Sequence, residues 1–137
     1  VENRRRTSEL ALLLRISSLL VSTRDLDHSL SVALDAAIET FNADAGTIHL
    51  LDEEPGSLSL RASAGLSDDF VRDFAQIPRD RVIDQDVLRG DVICVPDLAL
   101  DGSALNLDRI TAEGLTGLIS VGLLFRKDAF GIMRLYT

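Results

Sequence analysis

Residues 120–137, SVGLLFRKDAFGIMRLYT, decide the fold class of this chain. The segment contains two apolar runs, 120–125 and 130–136, on either side of the polar residues RKDA. Short β-rich runs joined by a polar turn predict an antiparallel hairpin. Because two strands alone cannot bury so apolar a surface, we expect the hairpin to belong to a larger sheet that other elements cover.

The segments before this hairpin supply the rest of the predicted sheet. Residues 44–52 (DAGTIHLLD) and 57–65 (SLSLRASAG) are separated by EEPG, whose Pro-Gly pair provides turn chemistry. These two stretches therefore predict a second antiparallel hairpin. Residues 91–97 (DVICVPD) predict a further strand, which ends at Pro96 because proline cannot donate a hydrogen bond to a neighbouring strand.

Two long helices are predicted before the strands. Apolar residues at three- and four-residue steps over residues 2–22 predict the first helix. The second is expected to begin at a cap formed by Asp25 or Asp27, and to run to Phe41 with Asn42 as a left-handed terminator. Its apolar side is formed by Leu30, Leu34, Ala37, Ile38 and Phe41.

Short helical segments are predicted between the strands. The acidic stretch after Ser67 predicts a helix start, and Pro78 ends that pattern. Residues 80–89 and 107–113 predict two more short helices, each followed by glycine. Hairpins at both ends of this order indicate a mostly antiparallel sheet, and the long helices indicate a layer across one face, so the predicted class is α+β.

Composition narrows the function classes. A chain of 137 residues can bury the core of one domain, and a net charge of -8 disfavours nucleic acid and anionic membranes as partners. The basic residues 4–6 are interpreted as a solvated helix face. No apolar run approaches the roughly 20 residues of a membrane span. A single cysteine excludes an internal disulfide, so a reducing, cytoplasmic compartment is expected.

The order and the local sequences of these segments resemble a GAF domain, the small-molecule-sensing module of signalling proteins. The matching stretches are DLDHSLSVALDAAIETFNADAGTIHLLDEE (25–54), LRASAGLS (60–67), DVICVPDL (91–98) and GLTGLISVGLLFRKDAFGIMRLYT (114–137). The resemblance implies a profilin-like α+β fold with a central antiparallel sheet of five or six strands. It places long amino-terminal helices on one face, and short helices and loops that roof a ligand cleft on the other.

In the GAF pattern one more helix follows the closing hairpin, and this sequence ends before it. We therefore expect residues 1–24 to form a signalling or dimerisation helix and residues 25–137 to form the domain core, with the carboxy-terminal helix missing. The chain is expected to be a fragment of a multidomain sensor or regulator.

The resemblance also implies a function. It indicates a non-catalytic sensory domain of a larger bacterial signal-transduction protein, such as a two-component sensor histidine kinase. Such a domain binds a small molecule or relays a conformational signal to an output domain in the parent chain. A homodimer through the amino-terminal helix is expected, with no nucleic-acid partner and no membrane contact. The alternative is a ligand-free dimerisation module of a transcriptional regulator or cyclase.

Other chemistries find little support in the residues. The signature of cyclic-nucleotide-binding members is missing, and reduction of free methionine sulfoxide requires several cysteines, whereas Cys94 stands alone. Cys94 is interpreted as a small apolar residue in a buried strand. His28 and His49 have no companion at metal-ligand spacing. His49 is interpreted as a solvent-facing or hydrogen-bonded core residue, and it stays open as a single haem ligand. We expect no cofactor, metal or catalytic residue.

Candidate ligand-binding residues follow from the resemblance, which places the cleft between the sheet and its roof. Asp97 is expected either to orient a ligand or to hydrogen-bond the turn that follows it. Alternation along a strand places every second residue on one face, so about half of these positions are expected to face away from the cleft. The candidates are Phe70 and Phe74 on the first short helix, Val95 and Asp97 at the strand of residues 91–97, Ile110 on the helix of residues 107–113, and Ile119 and Val121 in the closing hairpin.

Overall fold

The computed structural model describes Leu10 and residues 23–52, 56–78, 82–101 and 106–137. In these ranges the helices are α1 (Thr23–Phe41), α2 (Asp68–Asp73), α3 (Val82–Leu88), α4 (Leu98–Asp101) and α5 (Leu107–Ala112). The strands are β1 (Ala45–Leu51), β2 (Ser57–Ala64), β3 (Gln76–Pro78), β4 (Ile93–Val95), β5 (Leu118–Phe125) and β6 (Asp128–Tyr136). No helix of these ranges is long and apolar enough to cross a membrane. Apart from Leu10, the predicted helix over residues 2–22 lies outside the described residues.

The six strands form one antiparallel sheet in the order β3-β2-β1-β6-β5-β4. Both predicted hairpins are confirmed, and β6 also pairs with β1, so the two hairpins join at the centre of the sheet. Its turn consists of Arg126 and Lys127, whose φ angles are 51° and 73°. Two consecutive left-handed residues give a tight turn whose twist matches that of the paired strands. The predicted α+β class with a five- or six-stranded antiparallel sheet is therefore confirmed.

Helix α1 covers one face of the sheet with the predicted apolar side. Leu30 and Leu34 are at most 1% exposed, and they pack in a cluster with side chains from the central strands. Ala33 and Ala37 complete the buried stripe. Small residues at these two positions let the helix backbone lie close to the sheet. The strand residues of this helix-side core are Ile48, Ala62, Val121, Leu123, Met133 and Leu135.

The carboxyl end of α1 lies where the sequence predicts it, and the amino end does not. Asn42 adopts a φ of 54° after the last helical residue, which confirms the left-handed terminator. The helix begins at Thr23, however, so Asp25 lies in its first turn and the predicted cap was wrong. The carboxylate of Asp27 instead accepts hydrogen bonds from the guanidinium of Arg61 on β2, at 3.1 and 2.8 Å. This pair ties the first turns of α1 to the sheet.

Short helices and loops cover the opposite face, which we call the roof face. The predicted start of α2 is confirmed, since the hydroxyl of Ser67 accepts a hydrogen bond from the backbone N–H of Phe70 at 3.2 Å. Two polar contacts join α2 to the region of α5. Arg109 donates to Asp73 at 2.8 Å, and the backbone N–H of Ser67 donates to Glu113 at 2.6 Å. We call these two contacts the roof clasp.

Two short elements, β3 and α4, were missed by the sequence analysis. Residues Gln76–Pro78 add a sixth strand at the edge beside β2, and Leu98–Asp101 form one turn of helix. Three or four residues are too few to display a period of 2 or 3.6, so no pattern marks them. Both elements are held by tertiary contacts, with Ile77 and Leu98 at most 1% exposed in the roof-face core.

The interpretation of Cys94 as a buried strand residue was wrong. Cys94 lies in β4 and is exposed to solvent. Strand β4 has three residues and pairs with β5 alone, so it forms an edge of the sheet. A strand at an edge has a neighbour on one side, which leaves more of its side chains in contact with water.

Candidate functional site

The roof face of the sheet carries an apolar core with aromatic stacking at its centre. Phe70 and Phe74 stack with ring centroids 4.4 Å apart, and Tyr136 meets Phe70 edge-on at 5.6 Å. All three rings are at most 1% exposed. Offset and edge-to-face contacts of this kind stabilise a core by about 0.5–1.5 kcal/mol beyond the area they bury. Helix α2 is therefore anchored to β6 through aromatic rings.

Four polar side chains interrupt this apolar face. Thr47 and His49 lie on β1, Ser120 on β5 and Arg134 on β6, and their exposed fractions are 0, 1, 1 and 4%. Alternation along each strand places them on the roof face, because their immediate neighbours belong to the helix-side core. Buried arginine is rare in proteins, so Arg134 places an uncommon charged group beneath the roof.

Strand register brings three of these side chains into one row. Arg134 lies opposite Thr47 on β1 and opposite Ser120 on β5. Directly opposed residues of antiparallel strands have Cβ atoms about 5 Å apart. The row Thr47–Arg134–Ser120, which we call the polar row, therefore runs across the three central strands beneath the roof.

The two hydroxyl groups of the polar row are fully buried. Neither Thr47 Oγ1 nor Ser120 Oγ has a hydrogen-bond partner among the described residues. Leaving a buried hydroxyl unsatisfied costs about 1–3 kcal/mol. Valine and alanine would fill the same positions without that cost, so packing alone does not account for the two hydroxyls.

His49 connects the sheet to the roof. Its Nε2 lies 2.8 Å from the backbone carbonyl oxygen of Phe74, and the contact is buried. Phe74 is the residue that ends α2, so the imidazole holds the carboxyl end of the first roof helix. Of the alternatives that the sequence left open for this histidine, the structure shows the hydrogen-bonded core residue.

Six of the seven predicted site residues are divided between the two faces of the sheet, and Asp97 lies just before α4. Asp97 is exposed, and its carboxylate accepts hydrogen bonds from the backbone N–H groups of Ala99 and Leu100 at 3.0 and 3.4 Å, which is the geometry of the turn alternative. Ile119 and Val121 belong to the helix-side core, facing away from the roof. Phe70, Phe74, Val95 and Ile110 lie together in the roof-face core.

Sequence analysis missed Thr47, Ser120 and Arg134 as members of a possible site. The signal was present in the strand patterns GTIHLL, LISVGLL and GIMRLY, each of which holds a polar residue in an apolar run. Alternation assigns each residue to a face of its own strand, but it does not give the register between strands. The row is defined by the register of β1, β6 and β5, which only the structure gives.

An open cleft of about 850 Å³ lies at one end of the sheet, away from the predicted residues. It is formed between the turn of the closing hairpin and α3, and both Arg89 and Lys127 lie at its wall. Most of its lining is exposed or half-buried. Its lining residues are Gly56, Pro78, Gln85, Leu88, Arg89, Lys127, Asp128 and Ala129.

No protein-family model matches the sequence, and neither does any curated protein. Solved structures with the same fold are numerous. The GAF domain of a phosphoenolpyruvate-protein phosphotransferase from Coxiella burnetii is 17% identical, with a TM-score of 0.69 over 98% of this chain and 79% of that one. The fold of this chain is therefore GAF-like.

Two further structures differ in the activity that their names describe. A domain assigned to a two-component sensor histidine kinase of Sinorhizobium meliloti is 24% identical, with a TM-score of 0.61 over 80% of this chain and 71% of that one. A type II free methionine-R-sulfoxide reductase from Thermoplasma acidophilum is 18% identical, with a TM-score of 0.65 over 85% of this chain and 77% of that one. The fold therefore occurs in proteins of both sensory and enzymatic description.

Proposed function

We propose that this chain is a sensory GAF-type domain that binds a small molecule between the sheet and its roof. The observation that carries the proposal is the polar row, whose buried hydroxyls have no partner among the described residues. A cleft ligand with polar atoms would satisfy those groups, whereas a purely structural core would have no use for them.

The proposed signal is a rearrangement of the roof. A ligand at the polar row would contact the roof face of the sheet. It would also contact the end of α2, where His49 meets Phe74. If it binds one arrangement of the roof more tightly than another, it shifts the equilibrium between them by that difference in affinity. The roof clasp joins α2 to α5, so both helices would respond together.

The proposed setting is the cytoplasmic part of a bacterial signalling protein, such as a two-component sensor histidine kinase. The fold likeness to a domain assigned to such a kinase supports this setting. In that arrangement the output domain belongs to the same parent chain, and residues 1–24 pair with those of a second copy.

The domain itself is proposed to be non-catalytic. The reductase that shares the fold raises the question of sulfoxide chemistry in this chain. A thiol that attacks sulfur needs a second thiol to resolve the intermediate, and this sequence contains one cysteine. A dithiol in solution can replace that second thiol, but Cys94 is exposed on the edge strand β4 and is not part of the roof-face core. An assay with free methionine-R-sulfoxide and a dithiol reductant should therefore show no turnover, and turnover abolished by Cys94→Ser would overturn this part of the proposal.

Thermal denaturation in the presence of a small-molecule panel tests the sensory function. A ligand at about 100 times its Kd adds about 2.7 kcal/mol to the free energy of unfolding. We expect at least one compound to raise the Tm in a concentration-dependent way, with Thr47→Val reducing the rise and Ser31→Ala, an exposed control on α1, leaving it unchanged.

The alternative function, a ligand-free dimerisation module, predicts a different pair of results. No compound would change the Tm, and size-exclusion chromatography with light scattering would give a stable dimer that deletion of residues 1–22 converts to a monomer. A ligand-dependent Tm together with a monomer would contradict the alternative.

A further inference from the structure

The chemistry of the polar row indicates the class of ligand that would bind between the sheet and its roof. This inference rests on the proposed function. Thr47, Arg134 and Ser120 are directly opposed on three adjacent strands and are 0, 4 and 1% exposed. Three side chains from adjacent strands thus lie side by side beneath the roof.

The donors of this row outnumber its acceptors. A guanidinium carries five N–H donors and no acceptor, which is more than one side-chain partner consumes. Each hydroxyl adds an O–H that can rotate toward a ligand, and neither has a partner among the described residues. Groups that complement such a row are hydrogen-bond acceptors.

Charge narrows the class further. The guanidinium of Arg134 is always protonated, so the row repels a metal cation or an ammonium group. An apolar ligand would leave both hydroxyls unsatisfied. A carboxylate, nitrate, sulfate or phosphate offers planar or tetrahedral oxygens that a guanidinium binds in a bidentate manner.

We propose that the polar row binds a compact oxyanion, with Arg134 providing the charge and Thr47 and Ser120 donating from either side. The size is limited because Phe70, Phe74 and Tyr136 close the same face of the sheet. The open cleft beside Arg89 and Lys127 could also attract anions, so the internal site is reported by saturable shifts at the polar row and not by binding alone.

The experiment is an NMR titration of the folded chain with nitrate, sulfate, inorganic phosphate and acetate. Chloride at matched ionic strength controls for screening, and urea is a planar neutral control for shape. We expect at least one oxyanion to give saturable shifts concentrated at Thr47, Ser120 and the Nε–H of Arg134. The double variant Thr47→Val/Ser120→Ala should weaken its affinity at least about tenfold, as loss of two hydrogen bonds to a charged group predicts, whereas Ser31→Ala, at an exposed position of α1, should leave it unchanged.

The outcomes separate this inference from the proposed function. If the four oxyanions give linear shifts like those of chloride, or if the double variant binds them as well as the parent, the ligand class is wrong. Binding of a neutral compound at the roof face in the absence of oxyanion binding would overturn the class and leave the sensory function standing. If neither kind of compound binds, both proposals fail. The titration of the parent chain decides the question even if the double variant does not fold.

Discussion

At the scale of single residues, the close packing of the roof on the sheet depends on a glycine, Gly122. A Cβ atom built on Gly122 would collide with the backbone carbonyl oxygen of Val87 in α3. Since a backbone atom cannot rotate away as a side chain does, α3 can lie on β5 in its present position because residue 122 is glycine. The local spacing of the sequence offers no sign of this contact, which joins residues 35 positions apart.

Gly122→Ala is expected to destabilise the fold by about 1–3 kcal/mol, the usual range for overpacking a core. The free energy of unfolding is measured by chemical denaturation. Amide hydrogen exchange then shows where the structure is loosened, and we expect the amides of α3 to exchange faster. Gly114→Ala is the control, because a Cβ there meets no heavy atom within 4 Å and its cost comes from the φ of 78° alone. Unchanged exchange in α3 of Gly122→Ala would contradict the close contact.

A second residue-scale prediction concerns the end of the first hairpin. The hydroxyls of Ser57 and Ser59 donate to the carboxylate of Asp52, and these two hydrogen bonds hold its pKa below the ordinary value of 3.8. A lowered pKa in the folded state stabilises the fold above the unfolded-state pKa, and the stabilisation disappears as the pH falls through the folded-state value. Stability should therefore decline on acidification below about pH 5, as the ordinary carboxyl pKa implies.

Titration of the Asp52 carboxyl carbon by NMR measures this effect directly. In Ser57→Ala/Ser59→Ala we expect the pKa of Asp52 to rise toward 3.8, because both donors are lost. Ser63→Ala, on the same strand and exposed, should leave that pKa where it is in the parent chain. A pKa that stays low without the two hydroxyls would show that another group holds it.

At the scale of elements, the roof is a set of short helices that depend on one another. Helices α2 and α5 have six residues each, too few to be stable alone, and they are joined by the roof clasp. The clasp also holds the pKa of Glu113 below its ordinary value, chiefly through the hydrogen bonds from Ser67. Tertiary contacts, and not helix propensity, therefore keep the roof in place.

Arg109→Ala should loosen α2 without unfolding the sheet. The ion pair of Arg109 with Asp73 is half-buried, so we expect a loss of about 0.5–1 kcal/mol and a two- to fivefold faster exchange of the α2 amides. Arg72→Ala is the matched control, because its pair with Asp69 lies within α2 and is more exposed. Equal acceleration in both variants would show that the clasp contributes nothing beyond a surface ion pair.

At the scale of the whole molecule, one sheet carries two cores. Leu34 of α1 packs in the helix-side core, and Tyr136 of β6 packs in the roof-face core. Strand β6 contributes to both, since Met133 and Leu135 face α1 while Ile132 and Tyr136 face the roof. The two layers should therefore unfold together, because neither can keep its half of β6 alone.

Leu34→Ala tests this cooperativity. The substitution should lower the free energy of unfolding by about 2–5 kcal/mol, since Leu34 is fully buried. Tyr136 is the one tyrosine of a chain without tryptophan, so intrinsic fluorescence reports the roof face. Its denaturation midpoint should shift together with that of far-UV circular dichroism.

Val32→Ala, at a position that is 55% exposed on the same helix, should change stability by less than about 0.5 kcal/mol. A fluorescence midpoint that does not move in Leu34→Ala would show that the two cores unfold separately.

The sequence was sufficient for the order of the long elements and the α+β class. Amphipathic spacing in α1, the turn residues of the closing hairpin and the cap at Ser67 are local features, and each was placed correctly from its own neighbours. The resemblance to GAF domains supplied the two-layer arrangement that the structure confirms.

Tertiary structure alone decided the site. Alternation within β5 could not tell which of Ser120 and Val121 faces the roof, and the structure places Ile119 and Val121 beside α1. The register between β1, β6 and β5 brought Thr47, Arg134 and Ser120 together from positions up to 87 residues apart. Register depends on hydrogen bonds between distant segments and on the packing of both faces, which no window of neighbouring residues contains.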